Sequence, residues 1–170
     1  MKNIILIGMP AVGKSTIGSA IARKTGMKYI DTDDVIRQSC MLTLPEIIEK
    51  HGMEKFMIIE DRILSQIETS KTIISTGGSA VYGENAMRHL KASGTVLYLK
   101  INFEEICKRL KRMQSRGVVI REGQTLKDLY DERCALCERY ADVAVDMSNI
   151  PPSAGIEQCI IALKRVGAIK

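Results

Sequence analysis

The sequence predicts an α/β protein in which a parallel sheet is covered by helices on both faces. Three observations carry this. Short apolar runs alternate along the chain with segments of helical periodicity. The first run, "KNIILI", lacks the polar alternation of a half-exposed strand, as a strand buried on both faces requires. A glycine-containing loop then joins that run directly to a helical segment, the arrangement of a strand–loop–helix unit.

The elements follow in order. After the strand ending at Gly8, residues 15–25 place Ile17, Ala20, Ile21 and Lys24 at helical spacing, with Gly26 as a stop. "KYID" is a short second strand, and helices are expected at 33–40, 44–51 and 53–69. "KTIIST" is the third strand, closed by Gly77-Gly78. A helix near 84–92 leads to "TVLYLKI", the fourth strand. Helix 103–115, a glycine-containing loop at 116–124, helix 125–139, strand "DVAVDM" and a helix near 153–165 complete the series. With no repeat, low-complexity tract or linker, residues 1–170 read as one domain.

Composition narrows the class. At 170 residues, 45% hydrophobic and 26% charged, the chain has the balance of a soluble globular domain with a substantial core. The apolar start is too short for a membrane span and lacks the layout of a secretory signal, so the cytoplasm is the default. Five cysteines read as reduced thiols; Cys134 and Cys137 form a single CxxC with no second pair, short of a closed zinc site. The net charge of +5 is concentrated between Cys107 and Arg121, which hold six basic residues and no acid. With few aromatics for base stacking, a nucleoside triphosphate suits this cluster better than nucleic acid. The expected partners are small molecules, without nucleic acid or membrane, and the chain is expected to be a monomer.

The most specific motif is "GMPAVGKS", which matches GxxxxGK[ST] between a predicted strand and a predicted helix. The loop of Gly8, Met9, Pro10, Ala11, Val12 and Gly13 would turn its backbone N–H groups, of which Pro10 supplies none, toward a phosphate, and the helix opening at Ser15 and Thr16 adds its positive dipole end. Lys14 would contact the β- and γ-phosphates and Ser15 would hold Mg²⁺. Two further clusters lie at strand ends. In "YIDTDD", Asp31 and Asp33 are two apart, a spacing that points both the same way in extended chain. They could serve metal and acceptor hydroxyl, or cap the next helix. In "STGGSA", Gly77 and Gly78 permit close backbone approach by a ligand or simply make a turn.

Together, "GMPAVGKST", "DTD", "FMIIE", "GGS", "KRLKRMQSRG" and "ERCALCERYAD" resemble the shikimate kinase family, P-loop small-molecule kinases related to nucleoside monophosphate kinases. The resemblance runs over nearly the whole chain. It implies a three-layer α/β/α P-loop kinase fold, a five-stranded parallel sheet and a mobile lid at 116–124. It also implies transfer of the γ-phosphate of the co-substrate ATP, with Mg²⁺, to a hydroxyl of a small carboxylated ring. Carried onto this sequence, Asp31 joins Ser15 at the metal and Asp33 polarises the acceptor hydroxyl. Arg109 lies over adenine, and Pro151 belongs to the adenine-side loop "NIPPS". Arg116 reaches from the lid to the phosphates and substrate, and Arg133 pairs with the substrate carboxylate. Glu60, Gly77, Gly78 and Ser79 complete the acceptor side. Lys108, Lys111 and Arg112 read as a solvated helix face.

The departures from the family pattern are confined to the acceptor side. Met57 stands where the family has a carboxylate-clamping arginine, Ser79 replaces its third glycine, and Gly117 replaces the proline after the lid arginine. Ala135-Leu136-Cys137 replaces a Pro-Leu-Tyr. At 100° per residue, Phe56, Ile59, Ile63 and Ile67 share a helix face that includes Glu60, with Met57 at its edge. An inward carboxylate needs a partner, for which Arg133 is the candidate. Losing one arm of a buried charged pair costs roughly 2–5 kcal/mol. That is about thirty-fold to several thousand-fold in acceptor use, so shikimate is expected to be a poor substrate unless another cation substitutes. Three readings therefore stand at this level: a kinase for shikimate, the same machinery serving another small hydroxylated metabolite, and a nucleotide-binding regulatory protein without turnover.

Overall fold

A computed structural model describes residues 2–112, 120 and 123–170. Among them, five strands form one sheet: β1 (Asn3–Gly8), β2 (Lys28–Asp31), β3 (Thr72–Ser75), β4 (Gly94–Lys100) and β5 (Val143–Asp146). All neighbours pair in parallel, in the order β2-β3-β1-β4-β5. The central strand β1 is buried at every residue, which is why its sequence shows no alternation. Its odd and even positions still serve different cores. Ile4 and Leu6 pack with Ile17 and Ile21 of α1 (Lys14–Thr25) and Leu163 of α7 (Pro152–Arg165). Ile5 and Ile7 pack on the opposite face with Ile36 of α2 (Thr32–Cys40), Phe56 of α3 (Leu44–Leu64) and Leu90 of α4 (Glu84–Ser93). The result is the three-layer α/β/α arrangement, with α5 (Phe103–Arg112) and α6 (Leu126–Tyr140) continuing the two outer layers.

Local chemistry accounts for most boundaries. Thr43 and Glu46 form a reciprocal capping box at the start of α3, and Thr125 and Asp128 do the same for α6. The expected break between helices 44–51 and 53–69 is present as a kink: Gly52 sits at φ 80°, ψ 164°, outside helical geometry. The helix ends at Leu64, five residues earlier than expected, where Ser65 closes it by donating to Asp61 O. A 3-10 turn at Ala80–Tyr82 has no counterpart in the sequence reading. The final residues expected for helix 103–115 lie outside the described residues. No helix among the described residues is long and apolar enough to cross a membrane.

β1 and β3 are neighbours, yet the chain leaving β1 enters α1 on one face while the chain leaving β3 enters α4 on the other. A crevice opens between such strands at their carboxyl ends, the usual place for a ligand in an open α/β sheet. Gly8 and Gly77-Gly78 flank it.

Candidate active site

The loop from Gly8 to Gly13 is shaped by backbone that few side chains tolerate. Gly8 has φ 150°, and a methyl there would lie 2.7 Å from Leu99 O of the adjacent strand. Gly13 has φ 105° and forms the N-cap of α1, and Ala11 lies in the left-handed region at φ 65°. The side chain of Lys14 folds back over the loop, donating to Gly8 O and Met9 O at 2.8 Å each. It is 7% exposed, and burial pushes its ammonium down to about 8, against the pull of Asp33 and Asp31. Ser75 donates to Lys14 O at 3.0 Å, tying the loop's exit to the end of β3.

Asp31 and Asp33 do not share an extended segment, a correction to the sequence reading. The strand ends at Asp31, and Asp33 already lies in the first turn of α2. Asp31 is both cap and site residue: its Oδ1 accepts from Asp33 N at 3.0 Å. Its Oδ2 accepts the Ser15 hydroxyl at 2.7 Å. The two proposed metal-binding side chains are thus in contact, presenting only hard oxygen donors, a set that fits Mg²⁺.

Gly77 and Gly78 are where the separate elements meet. A methyl on Gly77 would lie 2.9 Å from Asp33 Oδ1 and 3.0 Å from Glu60 Oε1. One on Gly78 would lie 2.7 Å from Pro10 Cγ and 3.1 Å from Arg133 Nη1. The two glycines therefore bring the phosphate loop, α2, α3 and α6 to one spot, which larger residues would hold apart. The Gly77 amide donates to Thr32 Oγ1 at 3.1 Å, fixing the turn against α2.

Helix α3 presents Phe56, Glu60 and Leu64 as its most buried line, rather than the Phe56-Ile59-Ile63-Ile67 stripe expected from periodicity. Glu60 is at the centre of that line, 2% exposed, and Met57, Ile59, Ile63 and Ile67 are partly buried against the core that includes Phe56 and Leu64. Its hydrogen-bond partner is Ser79, whose hydroxyl donates to Oε2 at 2.6 Å, not Arg133 as the sequence suggested. Glu60 Oε1 has no hydrogen-bond partner among the described residues. Arg133 is 4% exposed with its guanidinium 5.5 Å from the centre of the Tyr82 ring.

On the other side of the loop, Arg109 donates to Val12 O at 3.1 Å and to Glu105 Oε1 at 2.5 Å. Glu105 Oε2 accepts from Asn149 N at 2.6 Å, so one carboxylate connects Arg109 to the segment that leads into Pro151, the N-cap of α7. Sequence reasoning missed Glu105; its spacing four residues before Arg109 was the available signal. Tyr82 and the Ser79–Glu60 bond were missed as well. Lys108, Lys111 and Arg112 are exposed. Arg116 and Gly117, with most of the expected lid at 116–124, lie outside the described residues.

Comparison with known proteins agrees with this fold. The family model described as shikimate kinase matches residues 10–164. A shikimate kinase from Thermodesulfovibrio yellowstonii is 32% identical over 169 residues, covering 98% of this chain and 97% of the relative. A crystal structure of shikimate kinase from Aquifex aeolicus matches with TM-score 0.77 and 29% identity, covering 97% of this chain and 98% of that one. A shikimate kinase from Acinetobacter baumannii in complex with shikimate matches with TM-score 0.86 and 28% identity, covering 100% and 96% of the two chains. Strand, glycine loop and helix follow one another here as the residue pattern anticipated, and the chain belongs to the shikimate kinase family.

Proposed function

We propose that this protein transfers the γ-phosphate of ATP to a hydroxyl of shikimate, with residues 1–170 acting as one catalytic domain. The observation that carries the reading is the convergence at Gly77-Gly78 of the phosphate loop, Asp33, Glu60 and Arg133. It sets a nucleotide site and an acceptor site side by side, as in-line phosphoryl transfer requires. Membership of the family adds ATP as co-substrate and shikimate as acceptor. The machinery for turnover is present, which disfavours a purely regulatory role, and no observation favours another metabolite.

In this reading the loop amides that are not Pro10, which has no N–H, or Val12, which donates to Met9 O, receive the phosphates together with the N-terminus of α1. Lys14 exchanges the carbonyls of Gly8 and Met9 for phosphate oxygens; its ammonium, pushed down to about 8, is still mostly charged near neutrality, and a polyphosphate beside it raises it again. Ser15 and Asp31 would hold Mg²⁺, whose contribution when bound is to neutralise charge on the phosphate oxygens. Asp33 accepts the proton of the attacking hydroxyl. Arg133 pairs with the acceptor carboxylate, and Arg116 is assigned to the transferring phosphoryl group. Arg109, Glu105 and the Asn149–Pro151 segment frame the base. The protein is taken to work as a cytoplasmic monomer.

The test is ADP release with Mg-ATP across a panel of small hydroxylated metabolites that includes shikimate. Shikimate-dependent release on the order of ten per second is expected. Release with a different metabolite and none with shikimate would overturn the acceptor assignment.

A further inference from the structure

The acceptor side has lost one positive charge and kept the carboxylate that the charge would have balanced. Position 57 is Met, packed half-buried on the core that includes Phe56 and Leu64, while Glu60 one turn later is 2% exposed. The groups facing Glu60 can be taken element by element. α2 contributes Asp33, whose Oδ1 shares the space at Gly77 with Glu60 Oε1. Its own helix contributes Asp61, which is engaged elsewhere, accepting from Ala86 N at 2.7 Å and Asn85 Nδ2 at 2.8 Å of α4. The turn after β3 contributes the Ser79 hydroxyl and, beyond it, Tyr82. α6 contributes Arg133, the cation that acts on Glu60 among the described residues. With Glu60 ionised, Asp33 and Glu60 oppose this guanidinium, and a carboxylate on the acceptor would be a third negative charge.

We propose that Glu60 is a specificity-determining residue working as a neutral carboxylic acid. It takes up a proton from solvent when an anionic acceptor binds, and then donates a hydrogen bond to that acceptor in place of the guanidinium absent at position 57. The inference rests on the shikimate reading above and deepens it. Ser79 decides which oxygen carries the proton. While its hydroxyl donates to Oε2, Oε2 is occupied as an acceptor and the proton belongs on Oε1. Oε1 is the buried oxygen without a partner, and it faces Gly77 beside the catalytic Asp33. A buried oxygen left without a hydrogen bond is costly, and a donated bond to ligand removes that cost. Ser79, where the family has glycine, and Met57, where it has arginine, thus act together: one removes the cation and the other aims the acid. Burial, reinforced by Asp33 and Asp61 and opposed by Ser79 and Arg133, pushes Glu60 up to about 7, and an anion bound beside it pushes it further, well above pH 8, so that the proton is held there.

The proton balance is simple. One proton moves from buffer to Glu60 Oε1 on acceptor binding and returns when the phosphorylated product leaves; no covalent bond to Glu60 forms. The experiment is shikimate titration calorimetry with ADP present, in phosphate and in Tris, at pH 6 and pH 8, alongside steady-state kinetics. Wild type is expected to take up nearly one proton per site at pH 8 and almost none at pH 6. Its KM for shikimate should rise about five-fold between pH 7 and pH 8 and about tenfold per unit beyond, without a matching change in the KM for ATP. Glu60→Gln, a permanently neutral donor of the same shape, should keep the low KM seen at pH 6 and lose its pH dependence. Met57→Arg should also flatten the profile, with a KM for shikimate at pH 8 below that of wild type. Shikimate turnover with a flat wild-type profile and no proton uptake at pH 8 would overturn this inference while leaving the acceptor assignment intact. A Glu60→Gln profile that tracks wild type would do the same. Absence of shikimate turnover at either pH would overturn the acceptor assignment, and this inference with it. The wild-type buffer comparison stands even where a variant does not fold.

Discussion

On the phosphate side of the crevice, the groups assigned to a ligand are mainly main-chain: the loop from Gly8 to Gly13, the N-terminus of α1, and a lysine whose own contacts are loop carbonyls. On the acceptor side they are side chains drawn from four elements: Asp33, Glu60, Ser79 and Arg133. A main-chain site is set by backbone conformation and tolerates change at Met9 or Val12. A side-chain site changes its chemistry with one residue. A change at position 57 or 79 therefore alters the acceptor side and leaves the phosphate side as it is.

The largest effect should come from breaking the phosphate side. Lys14→Met is expected to lower kcat by about a thousandfold or more, for every acceptor alike, because charge at the transferring group is lost. ADP release with saturating shikimate measures it; a loss below tenfold would mean that the loop amides suffice. The next effect sharpens the acceptor side and appears in stability. Glu60 is pushed up from 4.5 to about 7, so between those values the folded chain holds a proton that the unfolded chain has released. Its contribution is complete below pH 4.5 and is lost as pH rises through 7, about 3 kcal/mol in all. Glu60→Gln cannot ionise and should therefore unfold about 3 kcal/mol later than wild type at pH 8, with the gain absent at pH 4. Urea unfolding at the two pH values checks this, and an equal difference at both would place the effect in packing. The smallest effect concerns the scaffold between the two sides. Asp61 supplies the Ala86 N–H of α4 with an acceptor where Gly83, the N-cap, has no side chain to do so. Asp61→Ala should cost about 1 kcal/mol at neutral pH, read from the same urea curves.

The same contrast explains what could be read in advance. β1, β3 and β4 were visible as apolar runs because they are largely buried on both faces and cannot carry polar alternation, whereas the short β2 and β5 were placed by their positions among helical segments. The phosphate loop was visible because its geometry demands glycine at Gly8 and Gly13 at fixed spacing. The acceptor side resisted. Periodicity placed Glu60 within an apolar face but could not show that Ser79, nineteen residues away, would hold it. Arg133 was the expected partner because opposite charges pair, yet its guanidinium lies over Tyr82, in a turn that periodicity had not resolved. Asp33 was given extended geometry beside Asp31 although the boundary read between "KYID" and the helix at 33–40 already falls between them, as it does in the structure. Contacts between residues distant in sequence are settled by packing, and no local signal encodes them.

One contact bears on how the chain reaches this state as it is made. The phosphate loop is made well before it can be completed: Gly8 closes against Leu99 O, on a strand synthesised some ninety residues later. β1 also pairs with β3 across nearly seventy residues, so neither edge of the central strand finds its partner locally. The nucleotide site is therefore completed long after its loop is made. Until β3 arrives the apolar segment Ile4–Ile7 has no strand to pair with, and until β4 arrives one of its edges stays open to other chains.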